Sequence, residues 1–222
     1  LFSLLGGGMA AVLLIPEVCA ILQTDFGDMD FPKKVESYFS VLDMLARHCV
    51  CVSSERGLDH WPNIYSGSGA LLLLPIYALN RKISIRERFC RLALMGFLLL
   101  SFGTNILDFI WHGMNYPDSL PARQSFLYIF LVLTACYDVF HHLKETEEQQ
   151  ILYGYMAAAA FILFCQKFVD HEDFGLGVKL LTLIFISVYA VLLYLYRTRS
   201  GRKVMLCLLA VAIVAVTVEN SI

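Results

Sequence analysis

The sequence predicts an all-α protein, a polytopic transmembrane helical bundle of about seven spans with one amphipathic interfacial helix. The first supporting observation is the composition, since 58% of the 222 residues are hydrophobic, 16% are charged and the mean hydropathy is +0.65. A soluble domain usually carries about 25% charged residues. The second observation is a series of long apolar stretches, and the third is the clustering of basic residues in short connections between them. Together these observations exclude a water-soluble globule.

Seven apolar stretches are candidate spans, because a helix needs about 20 mainly apolar residues to cross a bilayer. They lie at residues 1–23, 64–80, 90–110, 124–140, 151–168, 177–196 and 203–218. The second stretch is short and contains Pro75, which predicts a kink and not a break, because neighbouring membrane helices can satisfy the freed carbonyl. We therefore expect residues 1–222 to form one transmembrane helical domain, and the apolar character of both ends is that expected of a fragment of a longer membrane protein.

The basic residues predict how the spans are oriented, since Lys and Arg in short connections favour the cytoplasmic side. The segments NRKISIRERFCR and RTRSGRK are placed inside on this ground, and alternation of the seven spans then places residues 141–150 inside as well. The connections 24–63, 112–123 and 169–176 then lie outside. A net charge of −2 and the absence of a basic stripe with interleaved aromatics exclude nucleic acid as a partner and leave membrane lipids.

The long outer loop at residues 24–63 contains a helical pattern. Apolar residues recur there at spacings of three and four, which predicts an amphipathic helix at about residues 33–52 with one apolar and one charged face. Pro32 suits the first turn of such a helix. We interpret the helix as lying along the outer membrane surface. The alternative is a helix that simply packs on the bundle of spans.

The most polar connection, DFIWHGMNYPDSLPARQSF at residues 108–126, joins the third and fourth predicted spans. Asp108, His112 and Arg123 would lie at one depth near the outer face, just after Asn105. Ionisable groups at membrane depth tend to face a cavity or a partner. Arg123 can hold two oxygens of a lipid-linked phosphate, and His112 can carry a proton. Alternatively, Asp108 and Arg123 pair across the turn, and His112 belongs to an interfacial belt.

A second candidate region, HWPNIYSGSG at residues 60–69, leads into the second predicted span. Gly67 and Gly69 would let a ligand or another helix approach the backbone closely. Asn63 and Tyr65 supply hydrogen-bonding groups. The aromatic residues of this segment are equally typical of interface anchors, so both interpretations stay open.

Isolated acids within or beside the predicted spans are further candidates, although a structural, hydrogen-bonded acid is equally consistent with each. These acids are Glu17, Asp138 and Glu219. The segment TDFGDMD is rich in carboxylate oxygens and is a candidate site for a divalent cation, but it lacks the length and closing Glu of an EF-hand. Its acids are Asp25, Asp28 and Asp30.

The blocks WPNIYSGSGALLLLPIYALNRKISIRERF and LSFGTNILDFIWHGMNYPDSLPARQSF resemble, in order and spacing, the middle of the bacterial YfhO family of polytopic membrane proteins over about residues 60–140. The short VEN sequence near the end is also similar. This resemblance implies a C-type glycosyltransferase (GT-C-like) fold in the bacterial plasma membrane. It further implies a polyprenyl-phosphate-sugar lipid as the donor and an envelope polymer such as lipoteichoic acid as the acceptor.

The family pattern LPYRxSF corresponds to LPARQSF here, which keeps Arg123, Ser125 and Phe126 and places Ala122 where the family has an aromatic residue. In PNIYSG, Ser66 stands where a Cys is frequent. Such enzymes place a catalytic carboxylate in the first outer loop after the first span, and no position here matches it.

The resemblance and the residues together lead to one assignment of roles. Arg123 is the phosphate clamp, Asp108 and His112 are the orienting or acid–base neighbours, and Asn63, Tyr65 and Asn105 line the cleft. A transporter or flippase-like bundle is the first alternative, and it would place broken helices or polar pairs near the bilayer midplane. A noncatalytic membrane scaffold is the second.

Overall fold

The structure is a computed structural model that describes residues 2–23, 31–52, 61–114, 122–169, 174–199 and 201–221. These residues contain nine α-helices: α1 (Phe2–Ile21), α2 (Val41–Ala46), α3 (Gly69–Leu79), α4 (Ile85–Gly103), α5 (Asn105–Trp111), α6 (Ser125–His141), α7 (Glu148–Phe168), α8 (Leu176–Thr198) and α9 (Arg202–Glu219). The β-pairing within these ranges is an isolated bridge between Ser37 and Thr104. The all-α prediction is therefore confirmed for the described part of the chain.

Within the described residues, α7 and α8 have both the length and the apolar composition needed to cross a membrane. Shorter apolar helices cover Ala10–Ala20, Gly69–Leu79 and Ser125–His141. With 11 residues, α3 extends for about 16 Å at 1.5 Å per residue, roughly half of a bilayer core of about 30 Å. The count of seven spans therefore stays a prediction.

The second predicted stretch, 64–80, is helical only from Gly69 onward. Gly67 has a φ of +86°, a left-handed conformation that glycine adopts without the steric cost of a Cβ atom. The chain turns there, and α3 begins after Ser68. The helix continues through Pro75, so the predicted absence of a break is confirmed.

The third predicted stretch, 90–110, is not one helix but two, because the chain is extended at Thr104. Residues 31–40, which we call the outer segment, pair with the backbone at this break. The Tyr38 N–H donates to the Gly103 carbonyl at 2.9 Å, and the Asn105 N–H donates to the Glu36 carbonyl at 3.1 Å. The prediction of a continuous helix is wrong at this point, since tertiary pairing replaces two of the helical hydrogen bonds.

The predicted interfacial helix at about 33–52 is also wrong. Residues 31–40 are non-helical, and α2 begins only after Ser40, whose side chain and that of Asp43 form a reciprocal capping box. Helix α2 ends at Ala46 and is followed by turns. Met44 and Ala46 are 1% and 0% exposed, so one face of this short helix packs into the bundle.

The core of the bundle surrounds α3, which packs against α6, α7 and α8. Leu72 and Ile76 of α3 and Val132 of α6 are fully buried. Gly154 of α7 lies against Ile76, where an added Cβ would overlap the Ile76 side chain. A glycine at this crossing lets the two helix backbones approach closely, as small residues do at membrane helix interfaces.

The outward faces of the long helices are apolar. Phe130 on α6, Leu163 on α7 and Ile184 on α8 are large hydrophobic residues that are more than half exposed. Contiguous apolar surface of this kind marks an interaction with other proteins or with a membrane. A lipid-facing role for these faces agrees with the predicted membrane location.

Polar contacts between connecting segments define two ends of the bundle. At one end the connections predicted to lie inside meet: Lys82 Nζ lies 3.5 Å from Glu145 Oε2, and Arg197 Nη1 lies 2.7 Å from Glu148 Oε1. Asp138, flagged from the sequence as an isolated acid, pairs there with Arg91. We call this the inner end. The opposite end, which we call the outer end, contains residues 31–52, α5 and the start of α3. The long helices from α3 to α9 run alternately between these two ends, and the short α5 lies at the outer end.

Candidate functional site

Asp108 on α5 and His112, the residue that caps the end of this helix, form a buried pair one helical turn apart. His112 Nδ1 lies 3.1 Å from Asp108 Oδ1 and 2.8 Å from the Asp108 carbonyl oxygen, and the two side chains are 2% and 5% exposed. Tyr38 OH donates to the second carboxylate oxygen at 3.4 Å. A proton on Nδ1 satisfies both oxygens, which leaves Nε2 as the ring nitrogen available for proton transfer.

His112 Nε2 is itself buried and has no hydrogen-bond partner among the described residues. A buried polar atom without a partner is costly, by about 1–3 kcal/mol, and such atoms concentrate at sites that act on a ligand. A carboxylate that orients an imidazole while the other nitrogen stays open is the arrangement used for general acid–base chemistry. The pair therefore has the geometry of an acid–base unit, and its buried Nε2 is the ring nitrogen without a partner among the described residues.

Asn105, predicted to line the cleft, positions this pair. Its side-chain amide donates to the Lys34 carbonyl at 2.8 Å, and its Oδ1 accepts from the Glu36 N–H at 3.0 Å. Both bonds join the outer segment to the first residue of α5, next to the break at Thr104. The structure thus brings Asn105, Asp108 and His112 together. The Asn105 side chain is hydrogen-bonded to the backbone of the outer segment.

Arg123 is exposed and lies at the turn that leads into α6. Ala122 before it is buried and has a φ of +51°, and Gln124 after it is buried with its Nε2 3.5 Å from Ser101 Oγ. These two neighbours fix the turn while the guanidinium side stays at the surface. Residues 115–121 of the same connection lie outside the described residues.

Tyr65 belongs to a second polar group at the outer end. Its OH donates to Glu219 Oε1 at 2.5 Å, the Ser68 N–H donates to the same oxygen at 2.5 Å, and Tyr189 OH donates to Oε2. A cavity of about 270 Å³ opens beside these groups. Asn63 is exposed two residues before Tyr65.

Sequence reasoning named Tyr65 and Glu219 separately and missed that they meet. The two residues are 154 positions apart, so no local spacing connects them. The available signal was the family resemblance, because PNIYSG and VEN were both part of it. Ser68 and Tyr189, which complete the contacts of Glu219, carried no signal in the sequence.

A third cluster, which the sequence analysis did not predict, lies around His48. His48 is buried, its Nε2 lies 3.3 Å from Tyr128 OH, and its Nδ1 lies 3.2 Å from the Leu45 carbonyl. Burial lowers the pKa of His48 to about 4, against an ordinary value of 6.5, and the hydrogen bond to Leu45 opposes this effect. His48 is therefore neutral at physiological pH and acts as a packing residue.

The cation expectation remains untested. The described residues contain no group of three or more His, Cys, Asp or Glu side chains able to hold a metal ion. Asp25, Asp28 and Asp30 lie at 24–30, outside the described residues. A divalent cation at that segment stays a prediction.

Comparison with known proteins decides the family. The family model described as bacterial membrane protein YfhO matches residues 1–222. The chain belongs to the YfhO family of bacterial membrane proteins. No curated protein and no solved structure matches the chain. The YfhO match covers the outer segment, α5 and the VEN sequence as well as residues 60–140, and it agrees with a location in a membrane.

Proposed function

We propose that this YfhO protein is part of a membrane-embedded glycosyltransferase. It would take a sugar from a polyprenyl-phosphate-linked donor and transfer it to a cell-envelope polymer such as lipoteichoic acid at the outer face of the plasma membrane. The observation that carries the proposal is the buried Asp108–His112 pair, whose Nε2 is unpartnered among the described residues, at the same end of the bundle as Arg123.

Glycosyl transfer makes two demands that these residues can meet. The acceptor hydroxyl loses its proton as its oxygen bonds to the sugar C1, and His112 Nε2 would take that proton while Asp108 stabilises the imidazolium that forms. The bond between C1 and the carrier phosphate breaks, and the phosphate leaves with the electron pair. Arg123 would hold this anion, since a guanidinium binds phosphate oxygens in pairs.

The position of the polar groups favours this reaction class over a transporter. Transporters bind their substrates near the bilayer midplane, often at broken helices. The break at Thr104 separates a long helix from a short outer one, and residues 36–38 fill it. Asp108, His112 and Arg123 lie at the outer end, where a lipid headgroup would meet a polymer.

The experiment is complementation in the parent bacterium. The gene is deleted and restored as wild type, Asp108→Asn or Arg123→Ala, and the sugar content of the envelope polymer is measured. Asp108→Asn is expected to reduce transfer by roughly 100-fold or more, as is typical when general acid–base catalysis is lost. Arg123→Ala is expected to reduce it by roughly 10- to 100-fold, since a charged hydrogen bond contributes about 1.5–3 kcal/mol.

Arg81→Ala is the matched control, because Arg81 is an exposed arginine at the inner end. It should leave the sugar content unchanged. Immunoblotting of the membrane fraction shows whether each variant accumulates to a normal level. Normal sugar content in both test variants at normal protein levels would contradict the proposal and would favour a noncatalytic scaffold.

A further inference from the structure

Glu219 is a buried carboxylate with spare hydrogen-bonding capacity. It is 5% exposed, and the described residues supply it with three donors: Tyr65 OH and Ser68 N–H on Oε1, and Tyr189 OH on Oε2. A carboxylate can accept about four hydrogen bonds. The three donors stabilise the charge in its buried position, and Oε2 can still accept one more bond from a ligand.

The cavity beside Glu219 has the size and lining of a small polar site. Its volume of about 270 Å³ is slightly below the range of roughly 300–1,000 Å³ usual for ligand pockets, which suits a headgroup of about one sugar ring. Ser66 lines it, and the buried Ser66 Oγ has no hydrogen-bond partner within the described part of the chain. This hydroxyl can donate to a ligand or accept from one.

An apolar groove lies beside this cavity. It has a volume of about 290 Å³, lies between α3, α8 and α9, and shares Gly69 and Tyr189 with the polar cavity. Its described walls are mainly aliphatic and aromatic, with Leu209 among them. Along α8 it reaches Tyr196, about 10 Å beyond Tyr189 at 1.5 Å per residue.

We infer that the cavity and the groove together bind a lipid with an uncharged, hydroxyl-bearing headgroup. A headgroup hydroxyl donates to Glu219 Oε2 and interacts with Ser66 Oγ, and the hydrocarbon chain of the same molecule occupies the groove. The cavity and the groove share Gly69 and Tyr189 in their lining, and this adjacency supports one amphipathic occupant. The inference concerns binding alone and does not depend on glycosyl transfer.

The charges of the residues that line the cavity favour an uncharged headgroup over an anionic one. Among the described residues that line the cavity, Glu219 carries the only charge, so a phosphate would meet a carboxylate with no basic side chain beside it. An ammonium headgroup can donate to Glu219 and to Ser66 Oγ, but it has no lone pair to accept the Ser66 proton. A headgroup hydroxyl can donate to Glu219 and a neighbouring one can accept from Ser66, so an uncharged polyol satisfies both side chains.

The test is photolabelling of the purified full chain in phosphatidylcholine nanodiscs. The probes are a photoreactive alkyl glucoside and the alkyl phosphate and alkylammonium of the same chain length. The glucoside is expected to label peptides from residues 65–69 and α9, with at least about tenfold preference over the phosphate. Equal labelling by the phosphate, or stronger labelling by the ammonium, would overturn the inference.

Ser66→Ala is the discriminating variant, because it removes a hydroxyl that makes no bond to any described residue. It should weaken glucoside labelling roughly three- to tenfold without loss of stability. Ser221→Ala is the matched control: Ser221 is a serine at the same end of α9 as Glu219, its hydroxyl donates to the Thr217 carbonyl, and it is absent from the described lining. Unchanged labelling of Ser66→Ala, or an equal loss in both variants, would refute the headgroup assignment.

The groove is tested separately on α9. Leu209→Trp places a larger side chain in the groove, whereas Leu206 has similar exposure on the same helix and does not line the described groove. Labelling by the alkyl glucoside should fall severalfold in Leu209→Trp and stay unchanged in Leu206→Trp. Equal labelling of both variants would show that the chain does not occupy the groove.

Discussion

At the scale of single residues, hydrogen bonding and not burial separates a packing histidine from a histidine with an unpartnered ring nitrogen. His48 and His112 are both buried at the outer end, but His48 uses both ring nitrogens within the protein, while His112 uses only Nδ1 among the described residues. The sequence could indicate Asp108 with His112, since a spacing of four places them on one helix face. It could not indicate His48 with Tyr128, because their contact joins distant segments.

The low pKa of His48 predicts a pH dependence of stability. Its folded pKa of about 4 lies below the ordinary value of 6.5, so the folded state favours the neutral ring. The stabilisation is fully present above pH 6.5 and is lost as the pH falls from 6.5 to 4, by roughly 3 kcal/mol in total. Thermal unfolding in detergent between these pH values should show a smaller decrease for His48→Gln than for wild type.

His141→Gln is the control for this comparison, since His141 is exposed at the inner end. This variant should keep the pH dependence of wild type. If His48→Gln and wild type lose stability in parallel as the pH falls, the account of His48 as a buried neutral residue is wrong.

At the scale of helices, periodicity located most elements and failed where the outer segment enters the bundle. The pattern at 33–52 is truly amphipathic, but the capping box at Ser40 and Asp43 delays the helix, and the backbone of residues 36–38 pairs with the chain around Thr104. The same pairing breaks the stretch at 90–110 into α4 and α5. Both errors have one cause, since tertiary hydrogen bonds override local helical preference.

The α3–α7 crossing gives an element-scale prediction. Ala at Gly154 would overlap the Ile76 side chain and place its Cβ 3.3 Å from the Leu72 carbonyl oxygen. Gly154→Ala is therefore expected to lower the free energy of unfolding by about 1–3 kcal/mol, the usual cost of overpacking. Unfolding by denaturing detergent, followed by circular dichroism, measures this change.

Gly96→Ala in α4 is the matched control, because nothing lies within 4 Å of an added Cβ there. It should be neutral or slightly stabilising, since alanine favours a helix by up to about 1 kcal/mol over glycine. Equal destabilisation by both substitutions would show that the close approach at Gly154 does not limit packing.

At the scale of the whole molecule, the loop assignments drawn from basic residues agree with the contacts. The connections predicted to lie inside meet in the pairs Lys82–Glu145 and Arg197–Glu148, and the segments predicted to lie outside meet at the other end. Composition and charge were sufficient for this division. The pairing of Tyr65 with Glu219 was not accessible in the same way, because it depends on which helices are neighbours in space.

The proposed roles of Asp108, His112 and Arg123 share one requirement, which is that the outer end faces away from the cytoplasm. Cysteine labelling in intact cells tests it most directly, with the exposed native cysteines replaced by Ser and the buried ones retained. In this background Asn63→Cys should react with a membrane-impermeant maleimide in intact cells, and Lys82→Cys should react only after permeabilisation. Labelling of Lys82→Cys but not Asn63→Cys in intact cells would contradict the account.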